Sequence, residues 1–192
     1  MSDSLFIGRD TELEQIKRIL LPDSNSPTRK VLVLGGMGGI GKTQLATTYA
    51  KRHSSSYSSV FWLNATSEAT LKSSFRGVAN RVLPPETVGK LDDDEVCVRV
   101  SSWLSELDNN RWMLVVDNYD DPDQYDIAKY YPSVAHGSII ITTRQPRRVR
   151  GEQFKVESMT EANDSLAILA ARSGRQGVLS GKNHPETGGT AG

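Results

Sequence analysis

The chain has 192 residues, 37% hydrophobic and 24% charged, and its 23 basic side chains balance 23 acidic ones. A net charge of zero gives no global attraction to nucleic acid or to an anionic membrane, and a single cysteine excludes an intramolecular disulfide framework. No apolar run approaches the length a bilayer requires, and Met1-Ser2-Asp3-Ser4-Leu5 lacks the basic and apolar regions of a signal peptide, so the expected compartment is reducing and cytoplasmic.

Asp10 to Leu21 reads as a short helix, with Leu13, Ile16 and Leu20 on one face and Thr11 and Glu14 spaced as a capping box. A loop, Pro22 to Pro27, separates it from an apolar strand over Lys30 to Leu34. Residues 36–43, Gly-Met-Gly-Gly-Ile-Gly-Lys-Thr, then complete a G-x-x-x-x-G-K-S/T phosphate loop, and Gln44 to Ala50 opens a helix. Strand, glycine loop and helix form an anion cradle: backbone N–H groups converge without a Cβ in the way, and the helix N-terminus adds partial positive charge. Lys42 is placed to reach the β- and γ-phosphates, and the Thr43 hydroxyl to bind Mg²⁺.

Ser58 to Leu63 reads as a second strand. Leu71, Phe75, Val78 and Val82 mark a helix that Pro84-Pro85 stops. Val96, Val100, Trp103, Leu104 and Leu107 mark another, with Asp92 or Asp93 as its cap. Arg111 to Asp117 and Gly137 to Thr143 are almost continuously apolar, as parallel strands buried on both faces are. Phe154 to Val156 is a candidate fifth strand, and Thr160 to Arg172 a last helix. Strands alternating with helices imply a parallel, doubly wound α/β sheet. The segment 173–192, with glycine at 174, 177, 181, 188, 189 and 192, is expected to be disordered.

The acid ending the third strand, Asp117, is the expected Mg²⁺ residue. Where many hydrolysing relatives of this fold place a second acid to polarise water, this chain has Asn118. An amide orients water but is a far poorer base than a carboxylate, so hydrolysis is expected to be slow or absent unless Asp120 or Asp121 substitutes. Asp120-Asp121-Pro122-Asp123 itself reads as a turn and cap for a helix through Ile127 and Tyr130. Ile139 to Arg144, Ile-Ile-Ile-Thr-Thr-Arg, brings hydroxyls and a guanidinium to the carboxyl edge of the sheet, where ligands of open α/β sheets sit. Arg144 is the candidate sensor that distinguishes triphosphate from diphosphate. The basic run 144–150 reads as that arginine followed by a solvated loop rather than a nucleic-acid patch. Cys97 is expected to be buried, His53, His136 and His184 lack ligand spacing, and Trp62, Trp103 and Trp112 are expected to pack.

The phosphate loop, Val-Val-Asp-Asn (115–118) and Ile-Thr-Thr-Arg (141–144) stand in the order used by one family. The chain resembles the NB-ARC nucleotide-binding module of STAND signalling ATPases, which include plant resistance proteins and apoptosome-type regulators. Phe6 to Leu13 looks like the family's N-terminal segment, Val60 to Ala65 its second strand, Trp112 to Pro122 its extended Walker B region, and Val156 to Leu169 the start of its helical subdomain. The tenor is most similar to fungal members.

The resemblance implies a P-loop NTPase, three-layer α/β/α with about five parallel strands. It places a nucleotide-binding core over 5–158, the incomplete start of a helical subdomain over 159–172, and a tail beyond. It implies ADP or ATP with Mg²⁺ as ligands, used as a conformational switch, with other protein chains as partners and neither nucleic acid nor membrane. Ile7 would offer backbone bonds to adenine and Arg9 would lie near the nucleotide. Gly36, Gly38, Gly39, Ile40, Gly41, Lys42, Thr43 and Gln44 would hold the phosphates, and Arg144 would face the γ-phosphate from a strand between the two Walker strands. The Gly-Leu-Pro-Leu-Ala and Met-His-Asp motifs of the family are not found, so a truncated member is expected. Two other readings fit the same residues: a turnover ATPase of the wider AAA+ kind, and a non-catalytic fragment that interferes with full-length relatives.

Overall fold

Two strands with no exposed residue form the centre of the computed structural model, which describes residues 9–21 and 28–157. They are β3 (Trp112–Asp117) and β4 (Ser138–Thr143), the two runs whose unbroken apolar character calls for cover on both faces. β1 (Lys30–Gly35), β2 (Ser59–Asn64) and β5 (Glu152–Lys155) complete a five-stranded sheet in the order β2-β3-β4-β1-β5, every pairing parallel.

Parallel neighbours need crossovers, and the helices supply them. α1 (Asp10–Leu20) and α2 (Lys42–Arg52) pack on one face, while α3 (Glu68–Val82), the single turn α4 (Pro85–Val88) and α5 (Asp93–Leu104) cover the other. The sheet's two-residue period sorts its side chains accordingly. Trp112, Leu114, Val116, Ile139 and Ile141 join Leu71, Phe75, Val96 and Val100 in one cluster. Met113, Val115 and Ile140 are as deeply buried but lie outside that cluster. This is the three-layer α/β/α arrangement of P-loop NTPases.

Local chemistry explains several boundaries and corrects four expectations. The Thr11–Glu14 capping box does not form: α1 starts behind Arg9, which is left-handed (φ 67°) and makes no side-chain cap. Capping boxes stand instead at Ser67/Thr70 and Asp92/Glu95, where each side chain bonds the other residue's backbone N–H. Leu107 does not extend α5; it opens a separate 3-10 turn and is 86% exposed. The turn 120–123 does not cap the following helix, because Asp126 accepts from the Ala128 N–H at 2.9 Å and starts a short 3-10 turn, Ile127–Tyr130. Trp62 does not pack inside: β2 is an edge strand with alternating burial, and Trp62 points outward, 40% exposed. Trp112 is fully buried and Trp103 packs edge-on against Phe61. Pro85, at the first position of α4, starts a helical turn as well as ending α3.

Among the described residues no helix is long and apolar enough to cross a membrane, and no three His, Cys, Asp or Glu gather as a metal site. Ile7, the helix expected over 160–172 and the tail expected over 173–192 lie outside the described residues.

Candidate functional site

β1 ends at Gly35, and the glycine loop carries the chain over the carboxyl edge of the sheet into α2. Gly41 stands immediately before α2 with φ 97°, a left-handed conformation that strains any residue with a Cβ. The Lys42 amine turns back over the loop, donating to the Gly36 carbonyl at 2.8 Å and the Met37 carbonyl at 2.9 Å. Partial burial pulls this amine below its ordinary pKa; Asp120 and Asp117 oppose that shift and Arg144 adds to it. Four charged groups therefore act at one point on the sheet edge.

The strand order places β4 between β1 and β3, so the ends of all three strands meet. Asp117, 6% exposed at the end of β3, accepts on Oδ1 from the Thr43 hydroxyl at 2.8 Å and the Thr142 hydroxyl at 2.6 Å. A carboxylate and a hydroxyl in contact are the hard oxygen donors that Mg²⁺ takes together with phosphate oxygens, so these residues fit the ion. Asn118 leaves β3 in the left-handed region (φ 63°), which Asn tolerates better than most residues, and its N–H donates to the Thr142 hydroxyl at 2.9 Å. Its side chain is exposed, and its amide lies 3.4 Å from Asp117 Oδ2.

Past that left-handed step the chain stays beside the end of β4, where the Tyr119 N–H donates to the Thr142 carbonyl at 3.0 Å. The Arg144 backbone N–H donates to Asp120 Oδ1 at 2.7 Å, and the Arg144 Nε lies 2.9 Å from Asp120 Oδ2. The guanidinium stands beside the loop: a methyl group built on Gly38 would lie 3.6 Å from it. Gly38 and Gly39 are exposed, as is Gln44 in the first turn of α2. Arg9 reaches the loop from below, 7% exposed, with Nη2 donating to the Ile40 carbonyl at 2.8 Å and to the Glu157 carbonyl at 3.0 Å. It ties the loop to the exit of β5.

Lys42, Thr43, Asp117, Asn118 and Arg144 thus meet at one edge, with Arg9 and Ile40 directly behind them. Two contributors were only partly legible. Thr142 was expected at this edge as one of the strand-end hydroxyls but not as a partner of Asp117. Asp120, named as a possible substitute base but favoured as a turn residue, is brought to Arg144 by the left-handed step at Asn118.

The family model described as the NB-ARC domain matches residues 9–176. A nucleotide-binding leucine-rich repeat (NLR)-like protein of Hyaloscypha variabilis is 28% identical over 189 residues, covering 87% of this chain and 19% of that protein. Disease resistance protein RGA2 of Solanum bulbocastanum is 28% identical over 181 residues, covering 88% of this chain and 18% of that protein. The chain therefore spans about a fifth of the length of these curated relatives. Among solved structures, the Aeropyrum pernix ORC1 protein in complex with DNA is similar, with a TM-score of 0.61 and 20% identity, covering 89% of this chain and 50% of that one. At that identity the likeness speaks for the fold alone. The family match takes in every element described above, and the chain belongs to the NB-ARC domain family, a family of nucleotide-binding modules.

Proposed function

We propose that this chain is the ADP/ATP-binding switch module of a STAND-type, NLR-like signalling protein, working through conformation and assembly with slow or absent hydrolysis. One observation supports the reading above others. The phosphate-loop Lys42 and Thr43, the strand-end Asp117 and the Arg144 of the intervening strand meet at one sheet edge, while the residue after Asp117 is an amide. In this reading Gly36 to Gln44 hold the phosphates, and Thr43 and Asp117 would hold Mg²⁺. That ion would neutralise phosphate charge and orient the β- and γ-oxygens. Arg144 senses the γ-phosphate. Asn118 positions water without taking its proton, which keeps the triphosphate state long-lived.

The partners of such a module are other protein chains, either further copies or longer relatives. The disease-resistance relative supports a signalling role in immunity; regulated cell death and a cytoplasmic location are part of the same proposal. Nucleic acid is not part of the proposal. Two arginines of the basic run are engaged within the chain, Arg144 by Asp120 and Arg148 by Asp123.

Steady-state hydrolysis of Mg²⁺-ATP by the wild type and by Asn118→Asp tests the reading. The wild type is expected to turn over very slowly, and Asn118→Asp at least about tenfold faster, within the usual contribution of a positioned general base. Brisk wild-type turnover that Asn118→Asp leaves unchanged would replace the switch with a turnover ATPase.

A further inference from the structure

The turn after Asn118 carries a carboxylate that the phosphate-binding residues do not require. Asp120 commits both oxygens to one residue, accepting from the backbone N–H of Arg144 on Oδ1 and facing its Nε on Oδ2. Its own backbone carbonyl accepts from the Gln145 side chain at 2.9 Å. The turn that presents it is firmly held. Tyr119 is 2% exposed, its N–H donates to the Thr142 carbonyl at 3.0 Å, and its hydroxyl donates to the Tyr125 carbonyl at 2.6 Å. Arg148 grips Asp123 with both terminal nitrogens. Asp120 is therefore a fixed negative charge.

Its position is the informative part. Lys42, the amine that reaches toward the β- and γ-phosphates in a filled phosphate loop, feels both Asp120 and Asp117. Yet Asp117, not Asp120, holds Thr43. Asp120 thus stands beside the arginine, whose guanidinium lies against the glycine loop at Gly38, and within electrostatic reach of Lys42. With Arg144 as the γ-phosphate sensor, a diphosphate has no group to offer it, whereas a triphosphate brings its extra negative charge next to the carboxylate and needs the guanidinium that the carboxylate already holds. Like charges brought together in a partly desolvated site repel strongly, and charge-assisted pairs are exchanged only for better ones.

We propose that Asp120 is a specificity-determining residue that biases the site toward the diphosphate, by holding Arg144 in a carboxylate latch and by repelling the γ-phosphate. The triphosphate enters when its γ-phosphate takes Arg144 from Asp120. The inference rests on Arg144 being the γ-phosphate sensor of the proposed switch.

The test is a calorimetric comparison of ADP with a non-hydrolysed ATP analogue, both with Mg²⁺, on the wild type, Asp120→Asn, Arg144→Ala and the double variant. Asp120→Asn keeps an oxygen acceptor for the Arg144 N–H and removes the charge. It is expected to raise the analogue-to-ADP affinity ratio about tenfold, an effect that shrinks as salt screens the site. Arg144→Ala is expected to lower that ratio by a similar factor, and in its background Asp120→Asn keeps only the repulsive part of its effect. Asp120→Asn that leaves the ratio unchanged, or weakens both nucleotides equally, overturns the latch while a lowered ratio in Arg144→Ala keeps the sensor. A ratio unmoved by either variant overturns the sensor reading and the latch together.

Discussion

The two central strands and the glycine loop they support are built on opposite principles. β3 and β4 bury all their residues between two layers of helices, whereas in the loop Met37 is 79% exposed and Gly38 and Gly39 are exposed beside it. Close-packed strands resist displacement, so Asp117 and Thr142 are held in place before any ligand arrives. The loop is held by bonds that can be exchanged: Lys42 sits on the carbonyls of Gly36 and Met37, and a phosphate takes up an amine of this kind. Stability therefore belongs to the strands and binding to the loop, and substitutions in the two regions are expected to act on different measurements.

The largest effect should come from the strand side. Trp112 is fully buried, its indole N–H donates to the Leu104 carbonyl at 2.8 Å, and its ring lies so close to Gly137 that a methyl group there would be 2.3 Å away. Trp112→Ala is expected to cost about 3–5 kcal/mol, read as a drop in the urea midpoint; a cost below 1 kcal/mol would mean that the core is not packed as described. Next comes Thr142→Val, at the junction of the two regions. It removes a buried hydroxyl shared by Asp117 and the Asn118 N–H. The expected cost is about 1–3 kcal/mol, together with a weaker effect of Mg²⁺ on nucleotide affinity. A variant as stable as wild type with unchanged Mg²⁺ dependence would break the link drawn here between strand and site.

A smaller effect concerns pH. Burial in α5 pushes the Cys97 thiol up to about 11. The folded chain then keeps a proton that the unfolded chain has released, so the unfolded state binds fewer protons and stability falls as pH rises through the window between the ordinary thiol range and about 11. At pH 8 the native thiol is expected to react with a thiol reagent about 100-fold more slowly than the urea-unfolded chain, from the thiolate fraction alone. Equal rates would place Cys97 at an open surface.

The contrast between the two regions also decides what could be read without a structure. β1, β3 and β4 were legible because a short unbroken apolar run calls for cover on both faces, and the phosphate loop because its residue types are dictated by the anion it cradles. β5 was located two residues late, since four largely exposed residues carry little pattern. Leu107 continued the helical period of α5 but fell beyond its end at Leu104, after an extended Glu106, so its periodicity was accidental. The pairing of Asp120 with Arg144 depends on a left-handed Asn118, and a single backbone angle leaves no trace in hydropathy. Arg9 could be placed near the nucleotide by resemblance, but its hold on the Ile40 and Glu157 carbonyls depends on where β5 ends.

The most direct test is calorimetric titration of the purified chain with ADP and with Mg²⁺-ATP, beside Lys42→Ala, whose amine touches only loop carbonyls among the described hydrogen bonds. Binding by the wild type that vanishes in Lys42→Ala, with the urea midpoint of that variant unchanged, is the expected result. A folded wild type that binds neither nucleotide, or a Lys42→Ala variant that binds both as well as the wild type does, would contradict the assignment of this loop as the nucleotide site.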